Sequence, residues 1–271
     1  MRNRYYFQPV GIAAYLFYNK GVKDKPIVSP QAVKGFREKK ALFIPYDPPS
    51  FPIRSMLQRE SVGHREFPGC ILYRMDGTVV VYGAIGAPHT ALWMETLIAG
   101  GTETFLLLGF CGSLNPPLSI GQTVLLTSAF SDEGTSPHYD PSSNLFFPSP
   151  DFQEEMTAVL REGRIPVLSG AAVSTDAPYR ETVDWIRKWT SQKADVVDME
   201  AASFFCVANY HGCRAVSLQI VSDELSESTW TKGFSSPLLA EAVQRTFYPF
   251  LMDDSNDDDH DDEEEDNDGM I

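Results

Sequence analysis

Short apolar runs alternate along this chain with longer stretches in which apolar residues recur every three or four positions. The first run, Ala41 to Pro45, reads as a buried strand, and the proline-rich Tyr46 to Pro52 after it reads as a loop. Cys70 to Arg74, an Asp76-Gly77 turn and Thr78 to Gly83 predict a β-hairpin, because Asp-Gly suits a tight turn between two strands. Pro88 to Ala99 has helical spacing, with Leu92, Met94, Leu97 and Ile98 mostly on one side, and Gly100-Gly101 closes it. Thr104 to Leu108 is a continuous apolar run, the pattern of a strand covered on both faces, and it leads into a glycine turn at Gly109.

The alternation continues to the C-terminal side. Val124 to Phe130, Pro166 to Val173, Asp195 to Val197 and Arg214 to Ser222 read as strands. Asp151 to Gly163, Tyr179 to Thr190, Ala201 to Tyr210 and Leu238 to Phe250 read as helices, and Ser131 to Pro150 as a long loop. Strands and helices in turn define an α/β class. Residues 1 to 40 have weak periodicity and are expected to form an irregular arm, leaving 41 to 252 as one domain.

Composition changes this picture at one end. The net charge of -15 is concentrated in DDSNDDDHDDEEEDNDGMI, from Asp253 onward, which predicts a disordered acidic tail at 253 to 271. The body carries no dense basic patch, which argues against nucleic acid as a partner. No run approaches the roughly 18 apolar residues of a membrane span, and the N-terminus lacks the pattern of a secretion signal. Cys70, Cys111, Cys206 and Cys213 form no C-x-x-C pair and sit in apolar segments, so reduced buried thiols, no metal and a cytoplasmic location are expected.

Three segments at strand exits carry polar chemistry. Gly109-Phe110-Cys111-Gly112-Ser113-Leu114 lets a ligand approach the backbone, or is only a tight turn. In Val196-Val197-Asp198-Met199-Glu200-Ala201-Ala202, the acids either cap a helix or present Glu200 to a vicinal diol, whose hydroxyls a carboxylate can accept together. Ile220-Val221-Ser222-Asp223-Glu224-Leu225 delivers an acid to the carboxyl end of a strand, where open α/β sheets bind ligands, or supplies a cap.

In this order, the glycine segment, DMEAA and VSD resemble the nucleoside phosphorylase and nucleosidase superfamily, with the hexameric bacterial-type purine nucleoside phosphorylases most alike. The resemblance covers Ala41 to Phe250. It implies a three-layer α/β sandwich whose mixed central sheet is partly closed into a barrel. It implies that Met199 and Glu200 hold the ribose, and that Cys111, Gly112, Val197 and Ser222 line the base pocket. Pro178 or Tyr179 falls where the family sets an aromatic ring against the base. Asp223 would protonate N7 of a departing purine, with its proton held near neutral pH by partial burial. The uridine-specific branch lacks this acid. The family further implies a nucleoside ligand, no cofactor, phosphate as co-substrate, and a homodimer, trimer or hexamer that shares residues across its interfaces.

The departures concern phosphate. Tyr46 stands in place of a phosphate-binding glycine, Leu107 in place of an arginine and Phe110 in place of a serine. Arg65, near where the family supplies an arginine from a neighbouring subunit, and Lys232 are the remaining candidates. Three activities stay open: phosphorolysis of a purine nucleoside to base and ribose 1-phosphate, placed first; hydrolysis with water as nucleophile; and nucleoside binding without turnover.

Overall fold

A computed structural model describes residues 27–115 and 118–251; the acidic tail and most of the N-terminal arm lie outside the described residues. Of the arm, residues 27–39 are irregular, with Val33 and Phe36 buried against the body.

The first strand, β1 (Lys40–Ile44), shows why the apolar runs are continuous. Ala41 and Phe43 point into one hydrophobic cluster and Leu42 and Ile44 into another, so both faces of the strand are covered. The same division holds in β5 (Thr104–Ser113), where Phe105 and Leu107 face one cluster and Leu106 and Leu108 the other. The hairpin of β3 (Cys70–Met75) and β4 (Thr78–Tyr82) forms as expected, with Gly77 at φ 65° in its turn. β2 (Gly63–Phe67), an exposed edge strand that sequence patterning did not reveal, pairs antiparallel with β3.

The remaining strands are β6 (Thr123–Asp132), β7 (Leu145–Phe146), β8 (Leu168–Thr175), β9 (Val196–Asp198), β10 (Arg214–Leu225) and β11 (Trp230–Lys232). β10 pairs with both β5 and β6, β6 with β8, β8 with β9, and β9 with β5. Five strands thereby close on themselves, and β1, β4, β3 and β2 extend the sheet outward from β5. Mixed parallel and antiparallel pairing around a closed ring fulfils the expected fold class.

Helices cover both faces. α2 (Ala87–Gly100) and α5 (Ala201–His211) supply Trp93, Met94, Phe204 and Phe205 to one cluster. α1 (Ile53–Glu60), α3 (Pro150–Glu162) and α6 (Pro237–Thr246) supply Leu57, Phe152, Met156 and Val243 to the other. α4 (Val183–Ser191) packs Ile186 and Trp189 on a third, smaller cluster. Residues Ala201 through Ala208 of α5 are all buried, and each phenylalanine among them contributes about 1.5–3 kcal/mol on burial.

Four local expectations need correction. Gly109 does not start a turn: β5 runs on to Ser113, held on one side by β10 along its whole length. The helix expected from Tyr179 starts at Val183, after a single 3-10 turn at Pro178–Arg180, because the Thr182 side chain caps it by accepting the Trp185 N–H. The last helix breaks at Phe247 and resumes as α7 (Tyr248–Leu251), since Pro249 has no N–H to continue the ladder. Leu92 faces solvent.

Candidate active site

On one edge of β5, β1 pairs as far as Leu107 and β9 begins at Gly112. Between them the strand loses its neighbour, and a cleft opens at the carboxyl ends of the parallel strands. A cavity of about 460 Å³ lies there, a size suited to a nucleoside. The two glycines of β5 are explained by crowding rather than by turning. A side chain at Gly109 would overlap the buried Gln219 amide, and one at Gly112 would meet Leu225, Val197 and the Asp223 carboxylate.

Every ribose- and base-side residue expected from sequence lines this one cavity: Met199 and Glu200; Cys111, Gly112, Val197 and Ser222; Pro178 and Tyr179; and Asp223. Tyr179 is 92% exposed, so it stands at the rim rather than within. Glu200 comes from the junction of β9 and α5, and Asp223 from a bulge in β10 after Val221. Two acids distant in sequence thus line a single cleft.

Asp198 takes the capping role. Its Oδ2 accepts the Ala201 N–H at 2.8 Å, its Oδ1 accepts the Ser174 hydroxyl at 2.5 Å, and the Ser174 oxygen in turn accepts the Ala202 N–H. That anchoring frees Glu200 to face the cavity. Glu200 is 5% exposed, and its Oε1 accepts the Gly86 N–H at 2.7 Å, across from the start of α2. Burial, and then the charge of Asp198, hold the Glu200 carboxyl well above the usual carboxylate range.

Asp223 is gripped from two sides. The Ser222 hydroxyl donates to Oδ1 at 2.6 Å, and the Trp230 indole N–H donates to Oδ2 at 2.7 Å. Oδ2 also borders the crowded wall at Gly112, beside Leu225 and Val197. Trp230 lies on β11, a short exposed strand without a sequence signature. Cys111 lines the cavity as an inert thiol, since burial, with Asp198 and Asp223 adding to it, pushes its pKa well up. All four cysteines are free and buried.

The segment that should cradle phosphate is aromatic. Tyr46 stacks edge-on against Phe110 at 5.7 Å and against Phe234 at 6.4 Å, and all three line the cavity. Leu107 is fully buried in the core. Among the described residues no Lys or Arg lines the cavity, whereas four carboxyls do: Glu181, Asp198, Glu200 and Asp223. Arg65 lies on the exposed edge strand β2, over the Phe67 ring at 5.2 Å. Lys232 pairs opposite Asp223 in register, but its ammonium sits over the Trp230 ring at 4.4 Å. Sequence reasoning missed Glu181, Trp230 and Phe234. Of these, only Glu181 had a cue, its position next to the flagged Pro178-Tyr179 pair.

Among the described residues, no cluster of His, Cys, Asp and Glu could hold a metal ion, and no helix is long and apolar enough to cross a membrane. Known proteins resemble this chain in sequence and in fold. Guanosine phosphorylase of Halorubrum lacusprofundi is 32% identical over 152 residues, which are 55% of this chain and 63% of that protein. Uridine phosphorylase of Thermococcus kodakarensis is 28% identical over 197 residues, 64% of this chain and 69% of that protein. The match with the first of these thus spans less than two thirds of the relative's length. In fold, the chain resembles purine nucleoside phosphorylase from Toxoplasma gondii, solved in complex with immucillin-H. That similarity has a TM-score of 0.68 at 18% identity and covers 85% of this chain and 96% of the other. Residues 62–249 match the family described as the Phosphorylase superfamily, and the chain belongs to it.

Proposed function

We propose that this protein cleaves the N-glycosidic bond of a purine nucleoside by phosphorolysis, giving free base and ribose 1-phosphate. The observation that carries this reading is the presence of Glu200 and Asp223 in one cavity of nucleoside size. Bond cleavage puts positive charge on the sugar and negative charge on the departing base. Asp223, lining the same cavity, donates a proton to N7 as the bond breaks. Glu200 accepts the 2′ and 3′ hydroxyls and favours the cationic sugar electrostatically. Met199 packs beside the ribose, while Val197, Cys111 and Ser222 form the base walls and Pro178 and Tyr179 its rim. Asp223 favours a purine, since only a purine offers N7. No cofactor is required.

Phosphate then needs a cation, and none among the described residues lines the cavity. Arg65, exposed on an edge strand, is suited to reach the cleft of a second copy in a homo-oligomer. Lys232, one strand from Asp223, is the alternative within the chain. The cavity, rich in carboxyls and without a cation among the described residues, supports a second reading, hydrolysis, in which water attacks the sugar. Base release from a purine nucleoside, measured with and without inorganic phosphate, separates the two. Phosphorolysis requires phosphate and yields ribose 1-phosphate; hydrolysis proceeds equally in its absence. Nucleoside binding without base release under either condition would refute both.

A further inference from the structure

The hairpin of β10 and β11, which carries Trp230, is fixed to the protein at its root. Leu225 packs on the small cluster of Ile186 and Trp189, and the Gly233 N–H donates to the Ser222 carbonyl at 2.9 Å. Between these points residues 226–232 are all exposed, so no buried side chain anchors the tip. The turn there closes on itself: the Ser226 N–H donates to the Thr229 carbonyl at 2.9 Å, and the Ser226 hydroxyl accepts the Thr229 N–H at 3.0 Å. One side chain of the turn reaches outward. Glu227 accepts both arms of the Arg187 guanidinium, Nε on Oε1 at 3.0 Å and Nη2 on Oε2 at 2.5 Å. Among the described residues, no other hydrogen bond or ion pair joins this turn to the rest of the protein. Arg187 lies 40 positions earlier on α4, a helix seated by the buried Ile186 and Trp189. The segment leading into α4 brings Pro178, Tyr179 and Glu181 to the cavity, and the hairpin brings Asp223, Leu225 and Trp230. The pair thus ties together two segments that line the same cavity.

We infer that Arg187 and Glu227 are positioning residues: their fork clasps the hairpin to α4 and thereby presents the Trp230 N–H to Asp223. The inference rests on the proposed role of Asp223 as the acid. Trp230 donates to Asp223 Oδ2 at 2.7 Å, and such a bond weakens steeply once donor and acceptor lose their alignment. The other neighbours of the indole ring are Lys232 at 4.4 Å and Phe234 at 6.2 Å. Both follow Trp230 closely along the chain, so neither ties the turn to a separate element. A solvent-exposed ion pair contributes little to stability, because water screens it. A bidentate guanidinium–carboxylate pair nevertheless sets direction, since two parallel bonds resist a rotation that one point charge would allow. Asp184, one turn earlier on α4, steadies the same guanidinium from 3.9 Å. The clasp therefore acts on the geometry at Asp223 and not on folding.

The test is the NMR signal of the Trp230 indole N–H in the isotope-labelled full chain, beside steady-state rates of base release. Trp93, Trp185, Trp189 and Trp230 each give one such signal, and loss of a signal in Trp230→Phe assigns the relevant one. Asp223→Asn shows where that signal moves when the carboxylate is removed. Arg187→Ala and Glu227→Ala are expected to move it in the same direction at unchanged melting temperature, and the charge-swapped pair Arg187→Glu with Glu227→Arg to return it. Arg187→Lys, which keeps the charge without the fork, is expected to restore it only in part. In the rate assay each alanine variant should lower kcat by about 3- to 10-fold with KM little changed. On a Trp230→Phe background, Glu227→Ala should cost less than about two-fold more, because both substitutions act on one bond. A Trp230 signal unmoved in both alanine variants, or rate losses that multiply in full on the Trp230→Phe background, overturns the inference. The signal tests the clasp even if no base is released, whereas a signal that moves as expected without any turnover refutes only the proposed catalysis.

Discussion

Replacing Glu200 with glutamine keeps the size of the side chain and removes its capacity to ionise as a cationic sugar forms. The Gly86 amide holds Oε1, and a glutamine carbonyl can keep that bond. The glutamine amino group, however, cannot accept a ribose hydroxyl. At least one charge-assisted hydrogen bond is lost, worth about 1.5–3 kcal/mol, together with the attraction for a cationic sugar. A fall in kcat/KM of about 10²- to 10³-fold follows. Stability should move the other way. Burial and Asp198 raise the folded-state pKa of Glu200 above its unfolded value. The carboxyl's contribution to stability is then complete below the unfolded value near 4.3 and is lost as pH rises through the folded value. Glutamine does not titrate. Thermal unfolding of both proteins from about pH 5 to about pH 9 should show Glu200→Gln gaining on the parent as pH rises. Parallel stability profiles across that range, or a variant within about two-fold of parental activity, would refute the reasoning.

Three further substitutions probe other parts of the site. Asp223→Asn should lower kcat by about 10²- to 10⁴-fold in steady-state assays, while nucleoside affinity and melting temperature stay near parental values. Trp230→Phe keeps the ring but removes the N–H that orients Asp223, and it should lower kcat about 10-fold at unchanged melting temperature, the bond being partly exposed. Gly109→Ala drives a methyl into the Gln219 amide, which is bonded to Asp198 and Ser217, and calorimetric unfolding should register a loss of about 1–3 kcal/mol.

Much of this was legible in the chain itself, for identifiable reasons. Strands covered on both faces, such as Thr104 to Leu108, must be apolar throughout, and a helix packed all round, such as Ala201 to Ala208, must be so too. Strand-exit acids announced Glu200 and Asp223 because the sheet delivers its carboxyl ends to one cleft. Elements whose side chains meet water carried no such signal: β2 and β11 are almost wholly exposed, and with β11 went Trp230. The glycine pair misled because crowding and turning call for the same residue. At Gly109 the crowding comes from Gln219, a residue 110 positions away, and local reading has no access to it. The aromatic wall of Tyr46, Phe110 and Phe234 was visible only as departures from a family pattern, not as one surface.

A crystal structure of the chain with a bound guanosine analogue whose glycosidic bond cannot break tests the central claim most directly. The account predicts a Glu200 oxygen within about 3 Å of a ribose 2′ or 3′ hydroxyl and an Asp223 oxygen at similar distance from N7. A nucleoside seated elsewhere, or in this cavity with its sugar against Asp223 and its base against Glu200, would contradict it.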